Sequence, residues 1–503
     1  MVGICRRGSR IYADAAIPSP GAVEAQARPC TIRDVLGLAR EGKCLLTSIG
    51  LGEKAVYILL SGNDRYSAAC ILASRELRHI CVLLPTSREA LLPHVQLLTG
   101  ISVVLRVRGG QINKVDTACD QNKLATSWWD ESWSADSGCV CMLTSGSTGA
   151  PKVVVSSWDA MGLQAEVTAR ALITSSCSHI VCASSIAHAY ALNAVISAHT
   201  AARDGKKVIL SIAASPDEAK VLLAQACEVP RVVFGTPGVW AQLVDAPVIE
   251  PVFLAFSAGV AMPSDLHQSL WRRHRLDVRQ NYGTTETGNI AYQAARDVGD
   301  IGAFGTTSSS LPGSHALLDV GMLWPGVTAT SMPPLDAMLL DEGEHGELCV
   351  STPWQSLGFV DMRNSQRGLH RLGSYHRTGD AACLLSAEGD GNVASGTAVR
   401  VGHRLRQPIC IALEGVEHFI HPHLLERLAC EHPAVVDALV PTRSRPAEEL
   451  EVLVVLEEGS SCTESEIVEW PLWSTQVPCG LEFHVRIVPF LQCSPAGKLL
   501  YCQ

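Results

Sequence analysis

The ten residues LTSGSTGAPK, from Leu143 to Lys152, combine glycines, hydroxyl side chains and a lysine at the end of the strand-like run VCMLT. Glycine lets backbone N–H groups approach an anion closely, while hydroxyls and lysine add donors and positive charge. This composition indicates a phosphate-binding loop, although the Walker A spacing is absent. A flexible Gly/Ser surface turn is the alternative, and the stretch alone leaves both open.

A second stretch, QNYGTTETG from Gln280 to Gly288, follows the strand-like RLDVR. Tyr282 offers a flat ring, Thr284 and Thr285 offer hydroxyl donors for a phosphate, and Glu286 offers a carboxylate for Mg²⁺. Taken alone, the stretch favours a polar turn with a helix-capping threonine.

Two further stretches add one charged residue each. Asp380 ends YHRTGD, and an ionised carboxylate can accept hydrogen bonds from the two hydroxyls of a ribose. Lys498 lies in SPAGKLL near the end of the chain, where a solvated lysine is the ordinary interpretation.

Together and in this order, the four stretches make the chain resemble the acyl-adenylating superfamily, which includes acyl- and aryl-CoA ligases, adenylation domains of peptide synthetases and luciferases. The resemblance runs from about residue 50 to residue 500, and FSAGVAMP around Gly259 resembles the family's adenine-side turn. It implies that a carboxylic acid and ATP give acyl-AMP and pyrophosphate, that the acyl group then passes to a thiol, and that Mg²⁺ is used.

The resemblance also implies a role for each matching position. The loop would hold the β- and γ-phosphates, Tyr282 would pack on adenine, Thr285 would contact the α-phosphate, Glu286 would ligate Mg²⁺ and Asp380 would bind the ribose. Lys498 would reach the acyl carboxylate and the α-phosphate. The implied nucleotide-binding residues are Thr144, Ser145, Gly146, Ser147, Thr148, Gly149, Lys152, Gly259, Asn281, Tyr282, Gly283, Thr284, Asp380 and Arg404, and the implied catalytic residues are Thr285, Glu286 and Lys498.

The acid and its acceptor are less closely defined. His188 falls where many CoA ligases of the family carry a histidine beside the acid pocket, although a buried core histidine is an equal alternative. No aspartate lies between Asp159 and Asp204 to pair with an α-ammonium, which disfavours an amino acid and favours an aryl or short- to medium-chain acid.

The family pattern is broken at two places. Val153 stands where the family usually has glycine, and Gly402 with Arg404 only partly matches the hinge motif, whose acid is missing. Adenylation is therefore better supported than transfer to CoA. The phosphopantetheine of an acyl carrier protein is an alternative acceptor, and a non-catalytic nucleotide-binding scaffold is an alternative of another class.

The elements that must position these residues follow a βα rhythm, for example AVYILL followed by RYSAACILASRELR. This pattern predicts an α/β fold: a large N-terminal domain, residues 1–395, with βα-repeated sheets plus a β-rich portion, and a small α+β C-terminal domain, residues 396–503. Residues 387–404 are predicted to be a polar connection. The resemblance implies that the small domain is mobile.

Composition limits the partners and the compartment. The net charge of −10 over 503 residues argues against nucleic acid, and the longest apolar stretch carries His188, Asn193 and His199, which argues against a membrane span. The 19 cysteines lack any CxxC pair, as expected for reduced thiols in the cytoplasm. We expect a short disordered N-terminal extension, and a helix-entry loop rather than a metal site at HFIHPH.

Overall fold

The structure is a computed structural model, and it describes part of the chain. The described residues are 30–115, 137–144, 152–173, 177–246, 249, 252–293, 318–332, 346–361, 369–386, 397–404, 409–413, 416–420, 422–441, 450–471, 473 and 483–491.

The larger of the two main sheets has twelve strands among the described residues. In pairing order they are β1 (Cys30–Ile32), β9 (Lys207–Ile212), β8 (Cys177–Cys182), β10 (Arg231–Gly235), β11 (Leu254–Ser257), β12 (Val278–Thr284), β13 (Gly288–Tyr292), β14 (Leu318–Leu323), β20 (Thr397–Arg404), β19 (His376–Ser386), β16 (Gly346–Ser351) and β15 (Thr328–Met332). The run from β9 to β12 is parallel, and from β12 to β15 each recorded pairing is antiparallel.

The second sheet has eight strands among the described residues. Their order is β18 (His370–Arg371), β17 (Gly358–Val360), β7 (Lys152–Ser157), β6 (Cys139–Thr144), β3 (Ile80–Pro85), β2 (Val56–Ser61), β4 (Val104–Arg108) and β5 (Gln111–Lys114). Strands β6, β3, β2 and β4 are parallel. Strand β2 is buried on both faces, as its continuous apolar run predicts.

Helices separate and cover these sheets. They are α1 (Val35–Ser48), α2 (Arg65–Glu76), α3 (Leu92–Thr99), α4 (Trp158–Leu172), α5 (Ala189–Arg203), α6 (Pro216–Ala224), α7 (Pro237–Leu243) and α8 (Ser264–His274), with a 3-10 helix at Thr86–Leu91. Helices α1, α2, α4 and α5 share one core with the facing sides of both sheets. Helix α3 packs on the outer face of the second sheet, and α6, α7 and α8 pack on the outer face of the larger sheet.

The last part of the chain has a core of its own. It consists of helix α9 (Pro422–Cys430), strands β23 (Val435–Leu439), β24 (Leu450–Leu456) and β25 (Phe483–Ile487), and helix α10 (Glu464–Val468). A hairpin of β21 (Ile409–Leu413) and β22 (Val416–Ile420) precedes it. The predicted α+β composition of this region is confirmed. Of HFIHPH, His418–Ile420 belong to β22 and Pro422 begins α9, whereas His421, where the helix-entry loop was predicted, lies outside the described residues.

The predicted connection at residues 387–404 is wrong over its second half. Thr397–Arg404 is strand β20, which pairs with β14 and β19 in the larger sheet. Val399 and Val401 alternate into the core, but the surrounding glycine, serine and arginine residues mask this short period-two signal in the sequence. The division of the chain after residue 395 stays a prediction.

Candidate functional site

The candidate site lies where parallel strands of the larger sheet end. Beyond the carboxyl end of β11, Gly259 has a φ of +95°, a conformation that strains any residue with a side chain. Strand β12 lies beside β11 in parallel and carries the QNYGTTETG residues past its own end. Carboxyl ends of parallel strands are the usual ligand-binding edge of such sheets.

The β12–β13 hairpin is closed tightly. A Cβ on Gly283 would lie 2.3 Å from the carbonyl oxygen of Gly288, so only glycine fits there. The Thr284 hydroxyl accepts from the Thr287 N–H at 3.1 Å and lies 2.8 Å from the Thr287 hydroxyl. Thr284 therefore stabilises the turn, and Thr285 and Glu286 are held at its tip.

Lys152 and Glu286 form an ion pair between the two sheets. Lys152 starts β7, and its Nζ lies 2.6 Å from Oε1 of Glu286 and 4.4 Å from the ring centre of Phe359 on β17. The backbone of Glu286 is also fixed, because its carbonyl oxygen accepts from the Ser356 N–H at 2.8 Å. The pair thus connects the β6–β7 hairpin to the β12–β13 turn.

The carboxylate of Glu286 is ionised despite being 8% exposed. Burial raises its pKa, but the charge and hydrogen bond of Lys152 act in the opposite direction and the net pKa lies below its ordinary value. Glu286 is therefore a buried carboxylate that stays negatively charged at neutral pH.

Tyr282 and Asp380 lie on different strands and are hydrogen-bonded to each other. The Tyr282 hydroxyl donates to Oδ2 of Asp380 at 2.7 Å, joining β12 to β19. Asp380 is 8% exposed and its backbone N–H donates to the Thr378 hydroxyl. The two residues predicted for adenine and for ribose are therefore adjacent, as one nucleoside requires.

The side chain of Asn281 is buried and hydrogen-bonded to other residues of the protein. Its amide Nδ2 donates to Oδ1 of Asn289 at 3.1 Å, and its Oδ1 accepts from the Trp324 indole at 3.0 Å. Asn289 in turn donates to Thr168 on α4 at 3.4 Å. This buried network orients the hairpin from behind, and a direct nucleotide contact by Asn281 stays a prediction.

His188 precedes α5 and makes no side-chain cap for that helix. Burial lowers its pKa to about 4, with a further contribution from the nearby Arg88, so its imidazole is neutral at pH 7. Arg88, in the 3-10 helix after β3, is half-buried, and burial lowers its pKa as well. The sequence alone did not single out Arg88 because a lone arginine after a strand has no pattern.

Asn63 is a second residue that the sequence analysis missed. It follows β2, donates from Nδ2 to the carbonyl oxygen of Ala213 and accepts at Oδ1 from the Ile186 N–H, 3.0 Å away. These partners follow β9 and β8 of the other sheet, and Ile186 belongs to the loop that leads to His188. One amide therefore joins the carboxyl-end loops of both sheets.

Some of the predicted site residues lie outside the described residues, namely Ser145, Gly146, Ser147, Thr148, Gly149 and Lys498. Thr144 ends β6 opposite Lys152, and its buried hydroxyl makes no hydrogen bond to the described residues. Arg404 pairs with Asp380 in the backbone register of β19 and β20. Val153, which replaces the family glycine, is fully buried in β7.

The two helix-covered sheets have the α/β fold that the resemblance to acyl-adenylating enzymes implies. The family model described as AMP-binding enzyme matches residues 57–360, and the chain belongs to that family. It is similar to ATP-bound MatB from Rhodopseudomonas palustris, with a TM-score of 0.62, 17% identity and coverage of 93% of this chain and 91% of that one.

Two curated relatives are similar over shorter spans. The probable 4-coumarate–CoA ligase 1 of Dictyostelium discoideum is 23% identical over 53% of this chain and 45% of the relative. The anthranilate–CoA ligase of Pseudomonas aeruginosa is 28% identical over 42% of this chain and 36% of the relative. The chain thus spans less than half the length of these two relatives.

Within the described residues, no helix is both long and apolar enough to cross a membrane. Those residues also hold no group of three or more His, Cys, Asp or Glu side chains arranged to bind a metal ion.

Proposed function

We propose that this protein activates a carboxylic acid with ATP to give acyl-AMP and pyrophosphate, and then forms a thioester with CoA. The main support is the convergence of two pairs at one sheet edge, Lys152 with Glu286 and Tyr282 with Asp380. The first pair carries the charges that a triphosphate and its metal need. The second pair offers a ring and a carboxylate for a nucleoside.

In this proposal the nucleotide lies across the carboxyl ends of β11 and β12. Asp380 accepts from the ribose hydroxyls while Tyr282, which already donates to it, packs on the adenine. Lys152 and the loop Ser145–Gly149 hold the β- and γ-phosphates. Thr144 adds a buried hydroxyl that has no partner among the described residues.

Glu286 suits a magnesium ion that is shared with the nucleotide. Mg²⁺ is commonly bound by one or two carboxylates together with substrate phosphates and water, so a single ionised carboxylate fits this mode. The ion would neutralise phosphate charge. Because Glu286 also pairs with Lys152, we expect ATP to separate these two groups, with the ammonium turning to phosphate.

Lys498 and Thr285 are proposed to act at the α-phosphate, where negative charge grows as the acid oxygen attacks. Replacing Lys498 by alanine is expected to lower the adenylation rate by on the order of 10²–10³, the scale for losing one transition-state donor. ATP–pyrophosphate exchange measures this rate directly. Exchange at the wild-type rate in the Lys498→Ala protein would remove Lys498 from the mechanism.

The acid is proposed to be an aryl or short- to medium-chain carboxylate. The two curated relatives are named for aryl acids, coumarate and anthranilate. A neutral His188 suits a polar but uncharged contact to such a substrate, and Arg88 nearby supplies a cation at the same edge. The cysteines whose side chains the structure describes are free thiols, which agrees with a proposed cytoplasmic location.

The deciding experiment is pyrophosphate release across a panel of aryl, short-chain and fatty acids, with and without CoA, followed by mass detection of products. We expect release with an aryl acid, and an acyl-CoA only when CoA is present. Acyl-AMP that accumulates with CoA present would favour a carrier-protein acceptor. Absence of pyrophosphate release with every acid would favour the non-catalytic alternative.

A further inference from the structure

A charged surface pocket lies away from the candidate site, where helices α1, α2, α4 and α5 meet. It has a volume of about 520 Å³. Among the described residues it is lined by Lys43, Arg75, Glu76, Arg78, Asp159 and Arg203. Four cationic side chains thus face two carboxylates, and neither the sequence motifs nor the family match assigns a role to any of them.

Both carboxylates already have a cationic partner. Lys43 Nζ lies 2.6 Å from Oε2 of Glu76. Arg78 pairs with Asp159 across the pocket mouth. Within the described part of the chain, Arg75 and Arg203 take part in no ion pair. The pocket therefore carries about two positive charges that no carboxylate in its lining neutralises.

Arg75 is held in the pocket wall. Its Nη1 is buried without a hydrogen-bond partner among the described residues. A Cβ on Gly162 of α4 would lie 2.6 Å from Nη2, so the glycine is what lets the guanidinium fit. Burial lowers the pKa of Arg75, and the charge of Arg203 lowers it further, against smaller opposing effects of Glu166 and Glu76. A partly buried guanidinium whose Nη1 has no hydrogen-bond partner among the described residues is stabilised by a nearby anion.

The pocket lies at the opposite side of the sheets from the candidate site. Arg75 is in the last turn of α2, and Arg203 is in the last turn of α5. These helices start at the carboxyl ends of β2 and β8, next to Asn63 and His188. Helices of this length place their last turns about 20 Å from their first residues. An anion at the pocket would therefore not contact the proposed ATP.

We propose that this pocket binds a small phosphorylated anion at a site separate from the catalytic cleft. Arginine guanidinium groups present paired N–H donors that match phosphate oxygens, and a dianion would neutralise both unpaired arginines together. A monocarboxylate would leave one of the two charges uncompensated. The volume also fits a phosphate-bearing metabolite rather than a single water.

Inorganic pyrophosphate is a suitable probe, measured by isothermal titration calorimetry. The proposed catalytic cleft also binds pyrophosphate, so we expect two classes of site in the wild-type protein. Arg75→Gln with Arg203→Gln should weaken one class at least 10-fold and leave the other in place. Arg170→Gln with Arg272→Gln removes the same charge from exposed helix positions and should change neither class.

Arg203→Glu provides a second variant because Arg203 is exposed and its replacement does not disturb the core. It should lose the same class of site. ATP–pyrophosphate exchange should stay at the wild-type rate in all these variants, so failure of the pocket and failure of the proposed activity are distinguishable. Identical isotherms for Arg203→Glu and wild type would overturn the proposal and leave the arginines as partners of the helix carboxyl termini alone.

Discussion

At the scale of single residues, the ion pair of Lys152 and Glu286 is the most informative feature of the site. Each group is mostly buried, with 26% and 11% of its side chain exposed. Either charge alone would be costly at this position, so the two residues depend on each other. Such dependence explains how a charged pair can persist where phosphate is proposed to bind.

Replacing Glu286 by glutamine keeps the shape and removes the charge. We expect ATP–pyrophosphate exchange to fall by on the order of 10² and its half-saturating Mg²⁺ concentration to rise. The free energy of unfolding should fall by about 1–2 kcal/mol because Lys152 loses its partner in a partly exposed setting. Exchange rates over a Mg²⁺ titration, together with urea unfolding, measure both effects.

Asp277→Asn is the matched control for Glu286→Gln. Asp277 lies just before the other end of β12, where it pairs with Arg279 at 3.1 Å and contacts His267 at 3.2 Å. It should lower stability similarly but leave the Mg²⁺ dependence unchanged. An unaltered Mg²⁺ dependence in the Glu286→Gln protein itself would argue against a metal role for Glu286.

Tyr282→Phe tests the second pair. The substitution keeps the ring and removes the hydroxyl that donates to Asp380. Hydrogen bonds to charged groups contribute about 1.5–3 kcal/mol, so without this bond Asp380 is held less firmly in place. We expect the KM for ATP to rise about 10-fold, with a smaller change in kcat. Steady-state kinetics with varied ATP provide the measurement. A KM within twofold of wild type would mean that this hydrogen bond does not position the nucleotide.

At the scale of elements, the site depends on contacts between loops from different sheets. Asn63 follows a strand of the second sheet, whereas Ile186 and Ala213 follow strands of the larger sheet. Helices α1, α2, α4 and α5 lie between the facing sides of the two sheets. The Asn63 amide therefore helps to fix the position of the loop before His188.

Replacing Asn63 by alanine should displace that loop and raise the KM for the acid, with the KM for ATP little changed. A loss of about 1–3 kcal/mol in unfolding free energy is expected because a buried N–H and carbonyl oxygen lose their partner. Asn63→Asp keeps the acceptor for the Ile186 N–H and should recover part of the acid KM. Asn113→Ala, at an exposed position of β5, is the control.

Equal increases in both KM values for Asn63→Ala would contradict a specific effect on the acid side. Far-UV circular dichroism of each variant shows whether the α/β fold is retained. The comparison between acid and ATP separates a positioning role from general loss of structure.

At the scale of the whole molecule, three histidines with strongly lowered pKa values make stability depend on pH. Burial lowers the pKa of His179, His188 and His199 from 6.5 to about 4, with charged neighbours contributing less. The unfolded chain therefore binds protons below pH 6.5 that the folded chain does not take up until about pH 4. The contribution of these histidines to stability is fully present above pH 6.5 and is lost as the pH falls from 6.5 to about 4.

From pH 7 to pH 5 the unfolding free energy should fall by roughly 2 kcal/mol for each such histidine. Urea unfolding at both pH values tests this. In the His199→Asn protein, the decrease in unfolding free energy from pH 7 to pH 5 should be smaller by the contribution of one histidine. The control is His484→Asn, at an exposed position, which should show the wild-type decrease. A His199→Asn protein with the wild-type pH dependence would show that His199 is not the group responsible.

The fold could be predicted well where apolar periodicity was strong. The strand predicted at AVYILL and the helix predicted at RYSAACILASRELR are β2 and α2, because a buried parallel strand is recognisable as a continuous apolar run. Strand β20 was missed since only Val399 and Val401 mark it. Its strand character depends on pairing with β14 and β19, which are far away in sequence.

The sequence by itself determined the family and the α/β class, because motif composition and periodicity are local properties. For the same reason it singled out Lys152, Glu286, Tyr282 and Asp380 as candidate site residues. Only the tertiary structure decided that these groups form two specific pairs, that Asn63 joins loops of separate sheets, and that Arg75 and Arg203 meet in one pocket. Each of these depends on contacts between residues distant in the chain. Burial and unpaired charge exist only once those segments have packed together.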